Sequence, residues 1–132
     1  MRRPLGGWFL FVLGPALALA GCSRRGEEQF IPPEATARQA LETALKAWQG
    51  GQEKPGKLSL GKVGIEVVDP AWQSGQKLGG YRITSEERGE GPPRFTVQLS
   101  LPKGEQTVKY VVLGKDPLWV YTEAEYRKLS GS

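Results

Sequence analysis

An apolar stripe between residues 34 and 49 constrains the fold of this chain more than any other feature. Ala37, Ala40, Leu41, Ala44, Leu45 and Trp48 recur at i, i+3, i+4, i+7, i+8 and i+11, which puts all six on one side of an α-helix. Pro33 suits a first turn and Gly50-Gly51 a stop. Glu34 with Arg38, and Glu42 with Lys46, form i,i+4 pairs with the acid on the N-terminal side. Three alanines keep the stripe flat, so the helix is expected to lie close against a sheet, with Trp48 as its bulky end. Core packing explains such a stripe better than a docking site does.

The sheet to receive it is legible further on. Val63, Ile65 and Val67 alternate with Gly64, Glu66 and Val68, a first strand that Asp69-Pro70 ends. Asp69 is placed to cap a short helical turn through Trp72. Residues 81–84 read as a second strand and residues 85–93 as a charged, exposed connection. Phe95, Val97, Leu99 and Leu101 alternate with Thr96, Gln98 and Ser100, the clearest strand in the chain. A turn at residues 102–105 leads to its hairpin partner, with Val108, Tyr110 and Val112 on one face. Residues 118–121 make a last short strand, and Thr122 with Glu125 forms a capping box for a short terminal helix.

The fold class expected is α+β: one long amphipathic N-terminal helix on a curved antiparallel sheet of four to five strands, closed by a short helix. In element order this resembles the cystatin-like and NTF2-like layout, in which a helix lies in a bent sheet. NTF2-like domains carry three helices before the long strands. One such helix is evident here, so the resemblance implies the smaller, cystatin-like version.

Ahead of the helix the chain has a different character. Arg2 and Arg3 precede an apolar run over residues 8–20, interrupted by Gly14-Pro15. Basic start, apolar middle and small residues at the end are the parts of a secretory signal. The run has 13 residues, short of the roughly 20 that a permanent membrane span needs. Taken by themselves, the residues also fit an ordinary signal peptide followed by an unrelated thiol. Leu19-Ala20-Gly21-Cys22, however, resembles the lipobox of bacterial lipoproteins at all four positions. That resemblance implies recognition of Leu19, Ala20 and Gly21 by the lipoprotein signal peptidase, cleavage before Cys22, and lipid on the Cys22 sulfur and on the new amino terminus. Two or three acyl chains anchor stably where one would be marginal. Ser23 in place of aspartate implies the outer rather than the inner membrane. The expected organisation is a signal peptide over 1–21, a lipidated cysteine and flexible tether over 22–33, and one globular domain over 34–132.

Composition narrows the function. Of the 18 basic side chains, Arg2 and Arg3 belong to the leader, leaving 16 against 14 acidic ones. So weak and scattered an excess gives no expectation of a nucleic-acid partner. With no histidine and one cysteine, neither Ser-His nor Cys-His catalysis nor an intrachain disulfide is open to the chain. No cofactor or metal is expected. Asp-Pro-x-Trp occurs twice, at Asp69-Pro70-Ala71-Trp72 and Asp116-Pro117-Leu118-Trp119. Either the repeat offers Asp69, Trp72, Asp116 and Trp119 to a ligand, or each is a turn followed by a core tryptophan; the second is favoured. Glu66, Asp69 and Asp116, with Tyr81 and Tyr110 as hydroxyl donors, are the groups from which acid-base chemistry would have to be assembled. Nothing in their spacing brings two together.

The expectation is therefore a non-enzymatic envelope lipoprotein, held to the membrane through Cys22 and reading an envelope protein or component. The alternative from another class is a small-ligand binder or carboxylate hydrolase working on the concave face of the sheet. Self-association through the sheet edges is a third.

Overall fold

The computed structural model describes residues 30–87 and 89–129. The leader, Leu19-Ala20-Gly21-Cys22 and the tether as far as residue 29 lie outside the described residues. Within them the order is α1 (Glu34–Gln49), β1 (Leu58–Leu60), β2 (Val63–Val68), α2 (Pro70–Gln73), β3 (Gly80–Glu87), β4 (Arg94–Leu101), β5 (Gly104–Gly114), β6 (Leu118–Thr122) and α3 (Glu123–Leu129). The six strands form one curled sheet in the order β1-β2-β6-β5-β4-β3.

Two parts of the expected sheet need correction. There are six strands rather than four to five, because Leu58–Leu60 pairs antiparallel with β2. Nor is the sheet wholly antiparallel: β2 and β6 run parallel, with Ile65 opposite Leu118 and Val68 opposite Tyr121. A parallel pair requires a long crossover; here everything from α2 to β5 supplies it. The helix, at 16 residues, is of ordinary rather than great length. β3 continues through Ser85, Glu86 and Glu87, past the expected stop, with an irregularity between Ile83 and Ser85.

β5 joins two staggered halves. It pairs with β4 from Gly104 to Val111 and with β6 from Tyr110 to Gly114. The two pairings overlap only at Tyr110 and Val111, so the step in the sheet falls on these residues.

The concave face is closed by α1. All six residues of its stripe are buried, against Ile65, Val67, Phe95, Val97, Leu99, Leu101, Tyr110, Val112, Leu118 and Val120. Burying Leu41 or Leu45 contributes about 1.5–3 kcal/mol each, while Ala37, Ala40 and Ala44 let the helix approach the strands closely. On the outer face α3 packs over β5 and β6. Its anchors are an Arg94–Glu123 ion pair at 3.3 Å and Arg94 lying 5.8 Å from the centre of the Tyr126 ring. Both sheet edges are blunted against further pairing: β1 is three residues long, and β3 carries Arg82, Glu86 and Glu87 together with its irregularity.

The domain takes in residues 30–33, which the sequence assigns to the tether. The Phe30 carbonyl accepts a hydrogen bond from Gly114 N–H at 2.9 Å, Lys115 stands 5.7 Å from the Phe30 ring centre, and Pro32 is buried. Gly114 has no room for a side chain: its φ is +96°, and an added Cβ would stand 2.7 Å from the Pro117 carbonyl oxygen. The chain therefore enters the domain at the turn between β5 and β6.

Candidate functional site

The two Asp-Pro-x-Trp segments do not converge. Asp69 follows the last residue of β2 and Asp116 precedes the first of β6; because these strands are parallel neighbours, the segments sit at opposite ends of one strand pair. Asp116 is exposed, joined to Pro117 by a cis peptide, and its Oδ1 accepts from Gly64 N–H at 3.3 Å. Trp119 is on the outer face, half-buried, stacked on Tyr121 with ring centres 5.6 Å apart. Glu66 is its register neighbour on β2 and is exposed.

Asp69 has a different environment. It is 3 % exposed; its Oδ1 accepts from Ala71 N–H at 3.1 Å, capping α2, and its Oδ2 accepts from the Tyr110 hydroxyl at 2.5 Å. Burial pushes the Asp69 carboxyl above its ordinary value, opposed by the hydrogen bonds from Tyr110 and the backbone of Trp72 and Ala71. Burial, and then the Asp69 charge, push the Tyr110 hydroxyl well above its ordinary value of 10. The bond ties the end of β2 to the point where β5 changes partners. Tyr81, on β3, is partly buried, which raises its hydroxyl; Glu42 adds to the rise and Arg38 opposes it. The sequence-selected groups thus yield one buried carboxylate–phenol tie and no pair of carboxylates. Among the described residues no cluster of three or more His, Cys, Asp or Glu stands ready for a metal.

The partner of Trp72 is Trp48, and the reason is a second repeat in the chain. Ala47-Trp48-Gln49-Gly50-Gly51-Gln52 and Ala71-Trp72-Gln73-Ser74-Gly75-Gln76 are the same hexapeptide with one substitution. Each copy ends a helix in the same way. In the first, Gln52 N–H bonds to the Ala47 carbonyl and Gly51 N–H to that of Trp48. In the second, Gln76 N–H bonds to Ala71 and Gly75 N–H to Trp72. This is the Schellman arrangement, with a left-handed residue after the helix: φ is +109° at Gly51 and +94° at Gly75.

The copies then exchange bonds. Trp48 Nε1–H donates to the Gln76 carbonyl at 2.7 Å, and Trp72 Nε1–H donates to the Gln52 carbonyl at 2.8 Å. Between these bonds the indoles stack with centres 5.4 Å apart and planes 12° from parallel. Trp48 is 2 % and Trp72 1 % exposed, and both indole donors are satisfied, as buried tryptophan requires. The result is a reciprocal clasp that holds the loop after α1 to the loop after α2.

Between these loops lies an open cavity of about 400 Å³. Trp48 and Leu78, both buried, line its base; Gln49, Gln52 and Gln76 line its sides, and Lys54 and Lys77 are exposed on its rim with Glu53. Gln52 Nε2 donates to the Lys54 carbonyl at 3.0 Å and Gln49 Nε2 to the Gly79 carbonyl at 3.4 Å. Neither Asp69 nor Tyr110 is among its lining residues. The signal for this site was in the sequence, as two copies of one hexapeptide at an offset of 24 residues. The Asp-Pro-x-Trp repeat shares Trp72 with it and points to Trp119 instead.

The concave face of the sheet, where a ligand-binding or hydrolytic alternative would operate, is filled by the α1 stripe. Comparison with known proteins finds no matching family model, no matching curated protein and no matching solved structure.

Proposed function

We propose that the chain is a lipid-anchored bacterial envelope lipoprotein whose domain serves as a non-catalytic interaction or accessory module on the exported side of a membrane. The observation that carries this reading is the closed core under α1. The one face of a curled sheet that could enclose a substrate is packed with buried aliphatic and aromatic side chains. The buried carboxylate, Asp69, is engaged by a helix cap and a tyrosine. The anchor rests on Leu19-Ala20-Gly21-Cys22. In fold the domain is read as a small cystatin-like relative of the NTF2-like layout, with α1 lying in the bent sheet.

Docking of Phe30 adds an orientation. Eight residue steps separate Cys22 from Phe30, at most roughly 26–29 Å when fully extended. A lipid on Cys22 holds the β5–β6 turn, where Phe30 binds Gly114, within that distance of the membrane. The clasp follows the opposite end of the β2–β6 pair and is presented away from it. Ser23 supports the outer membrane as the site.

The test is substitution of Cys22 by serine in a bacterial host supplied with radiolabelled palmitate. The parent is expected to take up label and to run as a shortened chain; C22S is expected to do neither. An unlabelled parent, or equal labelling of C22S, overturns the anchor.

A further inference from the structure

We propose that the cavity between the two hexapeptide copies is a binding site for a carboxylated sugar of one or two rings. This goes beyond the anchored-module reading and does not depend on it.

Three features point to that ligand class. The volume, about 400 Å³, lies within the roughly 300–1,000 Å³ of small-molecule sites. Gln49, Gln52 and Gln76 bring three primary amides, each with two N–H donors and a carbonyl acceptor. Sugar hydroxyls donate and accept at once, and amides answer both needs; the bonds from Gln49 and Gln52 to loop carbonyls use one N–H of each. Finally, Lys54 and Lys77 outnumber Glu53 on the rim, so the rim selects an anion, and an ammonium–carboxylate bond is the stronger, charge-assisted kind.

The clasp makes this site preformed. Lys54 follows Gln52 by two residues and Lys77 follows Gln76 by one. The two lysines are therefore carried on the two segments whose carbonyls the tryptophans hold. A ligand meeting both pays little to order the loops.

The experiment is a titration of the 15N-labelled full chain in detergent micelles, following the indole N–H signals of Trp48 and Trp72. Glucuronate, glucose and inorganic phosphate are the probes, at constant ionic strength. Saturable shifts with glucuronate are expected, with binding at least about tenfold weaker for glucose and for the double variant Lys54→Gln, Lys77→Gln. Both lysines are exposed, so that variant should unfold at the parent's denaturant midpoint. No saturable shift with millimolar glucuronate overturns the proposal, as does equal binding by the double variant. Equal shifts with phosphate overturn it too, by reducing the site to a bare anion contact. Lipid on Cys22 plays no part in the readout, so this failure and a failure of the anchor are distinguishable.

Discussion

Replacing Trp72 by alanine is expected to destabilise the domain by about 3–5 kcal/mol. That is a large fraction of the roughly 5–15 kcal/mol available to a domain of this kind. Three losses combine. The cavity left by a side chain that is 1 % exposed cannot fill with water without leaving it among apolar neighbours. The stacked partner Trp48 loses its contact, worth about 0.5–1.5 kcal/mol beyond area. The Gln52 carbonyl loses its donor. Trp72→Phe retains most of the volume and an aromatic ring beside Trp48, and so isolates chiefly the lost bond to the Gln52 carbonyl. Because Trp48 and Trp72 share one clasp, the variants Trp48→Phe and Trp72→Phe should not add in the double variant, with a coupling of about 0.5–3 kcal/mol. Urea unfolding followed by circular dichroism measures all four. Additive single variants, or a loss below about 1 kcal/mol for Trp72→Ala, would show that the two loops are held by something else.

Tyr110→Phe has the next largest effect and an unusual pH dependence. At pH 7 it is expected to cost about 1.5–3 kcal/mol, the range for a hydrogen bond to a charged group, because it leaves Asp69 buried with its Oδ2 unpartnered. In the parent, burial raises the Asp69 carboxyl above its ordinary 3.8. The folded chain therefore holds this proton more tightly than the unfolded one. The stability linked to it is complete below pH 3.8 and is lost as pH rises through the folded value. Removing the tyrosine takes away a bond that favours the charged form, so Asp69 rises further. The difference between variant and parent should then shrink as pH falls below 7 through the folded Asp69 values, since the lost bond matters less once the carboxyl is neutral in both. Tyr110 acts in the same sense at the other end of the scale. Its hydroxyl stays protonated in the fold past the pH 10 at which a free tyrosine ionises, so the parent loses stability as pH rises above 10 and the phenylalanine variant loses less. A difference that stays flat from pH 7 down to the acid limit of folding would contradict the tie.

Much of the architecture is written in local patterns. α1 is legible because six buried positions repeat at helical spacing, and β4 because every second residue is buried. What escapes has a physical reason in each case. β1 is three residues long, too short for an alternation to register, and exists because β2 is there to pair with it. The polar end of β3 is held in the sheet by β4 rather than by its own composition. The parallel pairing of β2 with β6 joins residues about fifty positions apart, and nothing local encodes it. The Asp69–Tyr110 bond spans 41 positions and depends on that pairing. The clasp is the exception: both hexapeptides stand in the sequence, and only the Asp-Pro preceding the second directs the eye to Trp119.

The proposed anchor at Cys22 would hold the β5–β6 turn toward the membrane and the clasp away from it. The direct test is the intact mass of the protein extracted from bacterial membranes. The proposed anchor predicts a chain of residues 22–132 carrying diacylglycerol and an amide-linked acyl chain. An unmodified chain of residues 1–132, or a shortened chain without lipid, would contradict it.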